Sequence, residues 1–431
     1  MGCDRVTRIA VLGAGYVGLT TAACLAHFGH QVICTDVNEE RIAALVNGVV
    51  PIVEAELPEL VREGLSNGLL SFSTDNADAV HGVEFTFLCV PTPQSPSGRA
   101  DMSYIEAAAR EIGPHLARES IVVNKSTVPV GSTKVVERAL RRPDVAVLSN
   151  PEFLREGSAV HDFLHPDRIV IGAESEASAV RLSALFLRLS APVVVTDPAS
   201  AETIKYAANA FLATKVSFIN AVAALCEAVG ADVRQVALGL GYDRRIGPEF
   251  LRPGPGWGGS CFPKDTAALI RIAEDAGYDF GLLAGVVAVN EEQHQRVVAK
   301  AVELAGGSVQ DRVVGVLGLT FKAGTDDMRN SPAVEIVRHL IRLGAIVKAY
   351  DPTVREPVAG LDDVELCQDP YAACEGAVVM VLATEWDEFR WLDFDKVSGL
   401  MERPALMDCR NLLEGAMLRR FGFEYKAVGI P

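Results

Sequence analysis

The sequence lacks the features that define several large classes of protein. No apolar run of about 18 residues or more occurs, which argues against a membrane-spanning helix. The nine cysteines include no CxxC pair, so neither a disulfide framework nor a zinc knuckle is expected. The net charge of −16 argues against a general binder of nucleic acid or anionic membranes. The opening MGCDRVTRIAVLGAG lacks a secretory signal, and we expect a reduced, cytoplasmic protein without a bound metal.

The first part of the chain alternates short apolar runs with helical patterns. The runs are RIAVLG, HQVICTD, FTFLCV, IVVNKST and AVLSN, and each ends in a loop rich in glycine, proline or polar residues. Alternating strands and helices predict a doubly wound parallel sheet, which binds ligands beyond the carboxyl ends of its strands. We therefore predict a first α/β domain over residues 1–198.

The middle of the chain has a different pattern, with one long alanine-rich stretch between residues 200 and 230. Apolar side chains recur there at helical spacing, namely Ile204, Ala208, Phe211, Phe218, Val222, Leu225 and Val229. The pattern predicts a helical central domain over 199–308. An exposed apolar face on this helix would mark a subunit interface, but an ordinary core helix gives the same periodicity.

The last part of the chain repeats the design of the first. RVVGVLGLTFK resembles the opening strand and glycine turn, and AIVKAYD is a strand ending at Asp351. AVVMVLATEW and PALMDCRN are further strand-like runs that end in polar loops. We predict a smaller α/β domain over 309–431. The predicted fold is therefore α/β, with two Rossmann-like doubly wound parallel-sheet domains joined by a helical central domain that contains one long helix.

A glycine motif of the form GxGxxG, at Gly13, Gly15 and Gly18, lies between a strand and a helix. In that position it permits a tight turn and lets a pyrophosphate approach the helix N-terminus. Asp36 ends the second strand at about the 20-residue offset of a ribose-binding acid, which favours NAD over NADP. Arg41 could accommodate a 2′-phosphate, pack on the adenine or face solvent. The corresponding GLTFKAG segment of the last domain lacks the motif, so we expect a different ligand there.

A single cysteine, Cys261, lies in the segment GPGWGGSCFPKDT. A thiol becomes a nucleophile where its thiolate is favoured, and Lys264 lies three residues away. The glycines remove side-chain bulk where a substrate could contact the backbone. The alternative is a buried cysteine that acts as a small apolar residue, which is the commoner case.

Two acidic residues follow the strand that ends in AVLSN. Asn150 can cap and Pro151 can start a helical turn, which would place Glu152 and Glu156 at i and i+4 on one face. Two acids at the carboxyl end of a strand could transfer protons or position a water molecule. The alternative is a capped helix with acids near its positive end.

The long helix carries a cation and an amide at i and i+4, Lys205 and Asn209. Together they could hold an oxyanion, although a lysine that snorkels from an apolar helix fits the same spacing. Asp265 could pair with Lys205 or with Lys264, or bind a water molecule.

These segments together resemble the UDP-glucose/GDP-mannose dehydrogenase family over nearly the whole chain. The shared motifs are GAGYVG, VPTP, STVPVG, NPEFLREG, RIGPEFL, GWGGSCFPKD, FKAGTDDMRNSP and DCRN. The resemblance implies that two NAD⁺ oxidise a primary alcohol at C6 of a nucleotide sugar to a carboxylate. RIGPEFLRPG is more similar to the UDP-glucose branch, whereas PGPGWGG departs from the usual pattern near the nucleotide or sugar.

The resemblance also implies roles for the catalytic residues. Cys261 would attack the intermediate aldehyde, and a thiohemiacetal and then a thioester would follow. Lys205 and Asn209 would stabilise the oxyanions, and Glu152 would assist proton transfer and hydrolysis. Thr127 and Asp265 would order a water molecule.

Ligand contacts and subunit contacts follow from the same resemblance. The implied cofactor contacts are Gly13, Ala14, Gly15, Tyr16, Val17, Gly18, Asp36, Arg41, Thr92, Thr127, Glu156, Lys264 and Arg329. The implied substrate contacts are Glu152, Phe153, Leu154, Arg155, Lys205, Asn209, Arg245, Phe250, Leu251, Arg252, Gly256, Trp257, Gly258, Cys261, Lys322 and Arg410. Arg245 would reach across from a neighbouring subunit, in a homodimer or larger homo-oligomer formed through the central helix.

Three alternatives remain open at this stage. TDP-glucose or GDP-mannose could replace UDP-glucose in the same chemistry. A single-step hydroxyacid dehydrogenase would have the same layout and would need no cysteine. A catalytically silent NAD-binding or scaffold protein would keep the nucleotide site alone.

Overall fold

The computed structural model describes residues 6–93, 100–358 and 360–431. The chain divides into two compact units, Met1–Ala208 and Asn209–Pro431. Each unit is built around a sheet whose strands are short apolar runs rich in β-branched residues, as the sequence predicts.

The first unit contains an eight-stranded sheet. In chain order its strands are β1 Arg8–Leu12, β2 Gln31–Thr35, β3 Leu70–Ser73, β4 Phe85–Leu88, β5 Ile121–Asn124, β6 Ala146–Ser149, β7 Ile169–Gly172 and β8 Val193–Thr196. Their order across the sheet is β3-β2-β1-β4-β5-β6-β7-β8. The first six strands are parallel and have the strand order of dinucleotide-binding folds. β6 and β7 pair antiparallel through Ser149 and Gly172, so the sheet is parallel except at this one pairing.

Helices cover both faces of this sheet, and apolar residues form a core on each side. The helices are α1 Tyr16–His27, α2 Glu39–Val46, α3 Leu57–Ser66, α4 Asn76–Ala79, α5 Ser103–Ile112, α6 Ser132–Leu140, α7 Ala159–Leu164 and α8 Glu176–Ser183, with 3₁₀ turns at Gly113–His115 and Ala184–Phe186. Local sequence sets several of their starts. The side chains of Asn38 and Asp75, for example, accept hydrogen bonds from first-turn N–H groups and so cap α2 and α4.

The next helix, α9 Pro198–Val229, begins in the first unit and continues into the second. Beside buried apolar residues such as Tyr206 and Ile219, α9 shows two features that are unusual for a surface helix. Polar side chains are buried, namely Glu202, Lys205, Asn209, Ser217 and Asn220. Large apolar ones are exposed, namely Phe211, Phe218, Leu225 and Val229. By length and composition alone α9 could cross a membrane, a test that core helices of other proteins also pass. Its buried charged residues make hydrogen bonds and ion pairs within the fold.

The second unit holds the remaining helices and a six-stranded sheet. Helices α10 Val233–Gly241, α11 Phe262–Asp275 and α12 Gly281–Leu304 precede the sheet. The strands are β9 Val313–Leu317, β10 Ile346–Tyr350, β11 Val364–Leu366, β12 Val379–Leu382, β13 Ala405–Asp408 and β14 Glu424–Ala427. The helices between them are α13 Pro332–Arg342, α14 Pro370–Cys374, α15 Phe394–Leu400 and α16 Gly415–Arg420, with a 3₁₀ turn at Asp387–Trp391.

The second sheet repeats the topology of the first. Its order is β11-β10-β9-β12-β13-β14, and all of its strand pairs are parallel. The predicted fold class, two Rossmann-like sheets with a helical region and one long helix, is confirmed. The boundaries at 198 and 308 remain predictions.

Candidate active site

The glycine loop between β1 and α1 has the shape that a bound pyrophosphate requires. Gly13 has φ +102°, and a Cβ placed there would lie 2.5 Å from the carbonyl oxygen of Cys89. A Cβ on Gly18 would lie 1.8 Å from the carbonyl oxygen of Gly13. A Cβ on Gly15 would meet nothing within 4 Å, and Gly15 is the residue before the first turn of α1. Two glycines thus close the turn, and the third leaves open space at a helix N-terminus, where phosphates bind.

Asp36 follows β2 and already makes three hydrogen bonds. Its Oδ2 accepts from the backbone N–H of Ala14 at 2.9 Å and from Arg41 Nη1 at 3.0 Å, and its Oδ1 accepts from Asn38 N–H at 3.0 Å. Arg41 forms an ion pair with this carboxylate, a contact that the sequence analysis did not consider. The loop and the carboxylate fit an NAD whose ribose hydroxyls bind an acid at this position.

Several other predicted cofactor residues lie in the same unit. Thr92 donates a hydrogen bond from Oγ1 to the carbonyl oxygen of Thr127 at 2.9 Å, which brings the loops after β4 and β5 together. Burial strongly raises the pKa of Tyr16, and the carboxylates of Glu156 and Glu152 raise it further. Val17 is half-buried against the apolar core.

Glu152 and Lys205 form a buried ion pair. Lys205 Nζ lies 2.9 Å from Glu152 Oε1, and both side chains are about 5% exposed. Glu152 Oε2 accepts a hydrogen bond from the N–H of Leu154 at 2.7 Å. Burial alone would raise the pKa of Glu152, but Lys205, the Leu154 N–H and the more distant charge of Lys125 together hold it below its ordinary value. The alternative of a snorkelling Lys205 is wrong, because its ammonium is buried.

The segment that carries Glu152 is not helical. Residues 151–155 have no regular structure, and the next helix, α7, begins only at Ala159. The prediction of a helical turn with Glu152 and Glu156 on one face is wrong. Glu54, far away in sequence, accepts hydrogen bonds from the N–H groups of Gly157 and Ala159 at 2.7 and 2.8 Å and so supports the start of α7.

Phe153 lies close to two cations. The guanidinium carbon of Arg168 is 3.7 Å from the centre of its ring, and Lys205 Nζ is 5.5 Å away. Leu154 packs against the core, and Arg155 makes a bidentate pair with Asp162. The sequence analysis missed Arg168. The only sequence signal for it is a charged residue directly before an apolar strand.

Cys261 differs from the other cysteines in its surroundings. Of the eight cysteines in the described residues, seven are buried and Cys261 is half-exposed. It immediately precedes α11, where a helix N-terminus favours negative charge, and its Sγ lies 3.5 Å from Ser260 Oγ. Burial raises the pKa of other thiols, for example those of Cys89 and Cys374 to about 12. Cys261 is therefore the described cysteine that is best placed to act as a nucleophile.

The first turn of α11 also carries Asp265, which contacts two predicted site residues. Asn209 Nδ2 donates a hydrogen bond to Asp265 Oδ2 at 2.5 Å. Lys264 Nζ lies 3.3 Å from Asp265 Oδ1, an ion-pair distance, although that oxygen receives no hydrogen bond. Asp265 is fully buried. Asp265 thus joins the amide on α9 to the helix that Cys261 starts.

The loop before Cys261 is held by α9 and α12. Trp257 N–H donates to Asn290 Oδ1 at 2.8 Å, and Asn290 Nδ2 donates back to the Trp257 carbonyl oxygen at 3.0 Å. Trp257 Nε1 donates to Ser217 Oγ at 2.9 Å. Gly254 N–H donates to Asn220 Oδ1 at 2.8 Å, and Gln293 Nε2 donates to the Gly254 carbonyl oxygen at 2.8 Å. These bonds fix the backbone of the loop from both sides.

The glycines of this loop pack against protein. A Cβ on Gly256 would lie 2.7 Å from His294 Nε2, and a Cβ on Gly258 would lie 2.0 Å from the carbonyl oxygen of Asn330. Gly259 has φ +81° and faces the ring of Phe321. We predicted that these glycines leave space for a substrate. That prediction is wrong for the positions that Cβ atoms would take, because other protein atoms already lie there.

The remaining predicted substrate residues of the second unit are spread over several loops. Phe250 has φ +62° and its ring lies 6.1 Å from that of Phe262, while Leu251 is buried and Arg252 exposed. Lys322 Nζ lies 5.6 Å from the Phe321 ring. Arg410 donates to the carbonyl oxygens of Ala383 and Phe321 at 2.8 and 2.7 Å and lies 2.9 Å from a carboxylate oxygen of Glu385.

Two predicted arginines lie outside these groups. Arg245 pairs with Asp243 and its side chain is 88% exposed. Arg329 pairs with Asp327 and its side chain is 66% exposed. None of the contacts described above joins Arg245 or Arg329 to another predicted site residue.

The second sheet has a carboxylate at the place of Asp36, but it is fully buried. Asp351 Oδ2 accepts hydrogen bonds from Leu319 N–H, from the N–H and Oγ1 of Thr320 and from Trp386 Nε1, at 2.7 to 3.1 Å. This carboxylate is saturated by the protein. Asp351 therefore has no free acceptor for a ribose hydroxyl on Oδ2, which agrees with the expectation of a different ligand in this domain.

Comparison with known proteins gives consistent results over the whole chain. Three models of the UDP-glucose/GDP-mannose dehydrogenase family match: the NAD-binding domain at residues 7–190, the central domain at 199–292 and the UDP-binding domain at 315–415. The UDP-glucose 6-dehydrogenase of Rhizobium meliloti is 46% identical over 98% of this chain and 100% of its own length. TuaD, a UDP-glucose 6-dehydrogenase of Bacillus subtilis, is 45% identical over 98% and 93%.

Solved structures give the same result. A UDP-glucose dehydrogenase from Pyrobaculum islandicum superposes with a TM-score of 0.92 at 40% identity, over 100% of this chain and 99% of that one. A UDP-D-ManNAc dehydrogenase from Pyrococcus horikoshii has a TM-score of 0.88 at 30% identity, over 98% and 99%. The chain belongs to the UDP-glucose/GDP-mannose dehydrogenase family and is an NAD-dependent oxidoreductase.

Proposed function

We propose that the protein oxidises UDP-glucose at C6, with two NAD⁺ and one water, to UDP-glucuronate and two NADH. The substrate is supported by relatives named UDP-glucose 6-dehydrogenase at 45 and 46% identity and by the match to a UDP-binding domain. The observation that carries the chemistry is Cys261, a half-exposed thiol at the start of α11. A single two-electron oxidation would need no such thiol.

The cysteine accounts for the second oxidation. NAD⁺, when bound, accepts a hydride from C6. After the first transfer the C6 aldehyde adds the Cys261 sulfur, and a C–S bond forms while the former carbonyl oxygen becomes a hydroxyl. Loss of a second hydride and the hydroxyl proton gives a thioester. Water then attacks C6, the C–S bond breaks, the thiol recovers its proton and the sugar leaves as a carboxylate.

The other side chains handle charge and protons. Lys205 first passes a proton from its ammonium to Glu152 and then takes the hydroxyl proton as the first hydride leaves. In its charged form Lys205 stabilises the oxyanions of the later steps together with Asn209. Glu152, paired with Lys205 at 2.9 Å, receives and returns that proton. Asp265, which holds Asn209 at 2.5 Å, and Thr127 order the hydrolytic water.

The ligand contacts are proposals that follow the family resemblance. The glycine loop, Asp36, Thr92 and Glu156 form the proposed NAD contacts of the first unit, with Lys264 and Arg329 from the second. Residues 152–155, the loop from 250 to 258, Lys322 and Arg410 form the proposed nucleotide-sugar contacts. A panel of UDP-, TDP- and GDP-hexoses, followed at the NADH absorbance band, distinguishes the possible substrates.

Stoichiometry tests the proposal. The wild type should release two NADH for each UDP-glucose consumed. Cys261→Ser should form no uronate and should stop after the first oxidation, whereas the control Cys367→Ser, at a buried cysteine in the second unit, should keep the wild-type ratio. One NADH per sugar from the wild type, or full conversion by Cys261→Ala, would contradict the covalent mechanism.

We also propose that two copies of the chain associate through α9. Phe211, Phe218, Leu225 and Val229 recur along this helix and are between 54 and 67% exposed. Exposing a row of large apolar side chains of this length to water costs free energy. In a symmetric dimer, the same row on a second chain would cover it. Arg245, which is exposed, would then be available to the partner's site.

Sedimentation tests the association. Phe211→Glu with Phe218→Glu should convert the dimer to a monomer. Trp391→Glu is the control, because Trp391 is 79% exposed but lies on the 3₁₀ turn of the second sheet. A wild type that sediments as a monomer would contradict the proposal.

The proposed location is the cytoplasm. The seven buried cysteines and the half-exposed Cys261 are all free thiols, which suits a reducing compartment. Nucleotide-sugar and NAD chemistry takes place there as well. Fractionation of cells with an antibody to the native protein should place it with the soluble fraction.

A further inference from the structure

A second lysine is buried close to the Glu152–Lys205 pair. Lys125 directly follows β5, and it is 4% exposed. Its ammonium donates a hydrogen bond to Asn150 Oδ1 at 3.0 Å and lies 5.9 Å from the ring of Phe163. Among the residues that the structure describes, no carboxylate lies within ion-pair distance of it. A lysine normally keeps its charge in water, so complete burial beside a neutral amide is costly.

The charge of Lys125 is coupled to both members of the pair. Burial lowers the pKa of Lys125, the nearby Lys205 lowers it further, and Cys89 and Glu152 act in the opposite direction. In return, Lys125 is one of the charges that lower the pKa of Glu152. Electrostatic coupling between two sites is mutual. The protonation of Lys125, Lys205 and Glu152 is therefore linked, so that a change at one of them alters proton binding at the other two.

Three titratable groups near this cluster, Cys89, Cys24 and Tyr16, are uncharged near neutral pH. Cys89 and Cys24 face Lys125, and burial raises the pKa of each thiol, that of Cys89 to about 12. Tyr16 faces Glu152, and its pKa is strongly raised as well. The carboxylates of Glu54, Glu156 and Asp162 also raise the pKa of Tyr16, whereas Lys205 and Lys125 are the charged groups that lower the pKa of Glu152. Two ammonium groups therefore act on the Glu152 carboxylate when both lysines are protonated.

Lys125 also has a structural link to Glu152. Asn150, which accepts its hydrogen bond, donates from Nδ2 to the carbonyl oxygen of Val170 at 2.8 Å, and its N–H donates to the carbonyl oxygen of Asn124 at 2.9 Å. These bonds tie the ends of β5 and β6 to β7. Glu152 follows Asn150 by two residues, so the same bonds fix the chain from which its side chain extends.

We propose that Lys125 is a positioning residue for the oxidation. Asn150 holds its buried ammonium, which supplies a second positive charge near the Glu152–Lys205 pair while that pair gains and loses its proton. Two like charges near one carboxylate make release of a proton from Lys205 easier. Lys125 thereby favours the form of the pair that can accept the proton of the sugar hydroxyl. The assay rests on the proposed function, but a second measurement does not.

The pH profile of kcat/KM tests the inference. Lys125→Met removes a positive charge, so protons bind more tightly to both Glu152 and Lys205. Both limbs of the profile should move to higher pH, by roughly one unit. Lys125→Arg keeps the charge and should restore the wild-type limbs. Lys134→Met removes a charge from the same unit at a 54% exposed side chain and should leave the limbs in place.

A stability measurement separates this inference from the proposed function. The acid limb of thermal unfolding, followed without substrate between pH 3 and 6, should also move to higher pH in Lys125→Met. If Lys125→Met does not fold, Asn150→Asp neutralises Lys125 in place and should move the limbs in the same direction. A Lys125→Met protein with a lower Tm but unmoved limbs in both measurements would overturn the inference. Failure of the wild type to oxidise any nucleotide sugar would overturn the proposed function alone.

Discussion

At the scale of single residues, each unit holds predicted site residues as pairs of buried polar groups. Glu152 pairs with Lys205, and Asn209 donates to Asp265, all four with at most 6% of their surface exposed. A buried ion pair adds little net stability over apolar packing, but the loss of one partner is costly because the other charge remains buried. Such pairs are therefore a sign of function rather than of stability.

We predict that Glu152→Gln destabilises the protein by about 3 kcal/mol at neutral pH, because Lys205 is left buried without its counter-ion. The double variant Glu152→Gln, Lys205→Met should recover most of that loss. Urea unfolding followed by fluorescence measures both. Equal stability of the wild type and Glu152→Gln would contradict the pairing.

The same pair predicts a pH dependence with a defined sign. The folded-state pKa of Glu152 lies below its ordinary value of 4.5. Its stabilisation is therefore complete above that value and is lost as the pH falls through the lower folded-state pKa. The wild type should lose stability in this acid range more steeply than Glu152→Gln, in parallel unfolding curves.

At the scale of elements, sequence reasoning located regular segments well and irregular ones poorly. The strand that ends before Asn150 and the helix that contains Lys205 follow from apolar periodicity. The chain after Asn150 was predicted as a helical turn from Asn-Pro capping, yet it stays irregular until Ala159. The reason is tertiary: the N–H groups that start α7 bind Glu54, about 100 residues earlier. No local pattern contains that information.

The glycine loop before Cys261 shows the same limit. Its glycines were easy to see, and their role in close approach was predicted, but the approaching atoms are Asn330, Phe321 and His294 rather than a ligand. A Cβ contact depends on residues that sequence places 35 to 75 positions away. The loop that precedes Cys261 is therefore fixed in place by contacts with α9, α12 and the loop before α13.

We predict that Gly258→Ala lowers stability and activity together, because its Cβ would lie 2.0 Å from the carbonyl oxygen of Asn330 and backbone must move. Gly399→Ala is the matched control, since that glycine lies in α15 with nothing within 4 Å of its Cβ. The control should gain up to about 0.5 kcal/mol from helix propensity. Thermal unfolding and kcat measure the two effects.

At the scale of the whole molecule, one topology occurs twice with different chemistry. The first six strands of one sheet have the same order as the six strands of the other, and an aspartate, Asp36 or Asp351, directly follows the second strand in each. The repeat was visible in the sequence, as were the glycine motif of the first copy and its absence from the second. What the sequence did not show is how each carboxylate is used. Asp36 keeps 10% of its side chain exposed, whereas Asp351 is fully buried by four donors.

This difference leads to a prediction about the coenzyme. Asp36→Asn removes the negative charge that a ribose hydroxyl would bind and that would repel a 2′-phosphate, and it releases Arg41 from its ion pair. The ratio of kcat/KM for NADP⁺ to that for NAD⁺ should rise about tenfold, since a hydrogen bond to a charged group contributes about 1.5–3 kcal/mol. Initial rates with each coenzyme at saturating sugar nucleotide measure the ratio.

Asp351→Asn is the matched control for that experiment, because it makes the same chemical change at the equivalent position of the other sheet. It should leave the coenzyme ratio unchanged and lower the free energy of unfolding by about 1–3 kcal/mol, since its amide cannot satisfy all the buried donors. The burial of the two aspartates indicates that Asp36 serves coenzyme binding and Asp351 serves stability. A changed NADP⁺ to NAD⁺ ratio of kcat/KM in Asp351→Asn, or an unchanged ratio in Asp36→Asn, would contradict this assignment.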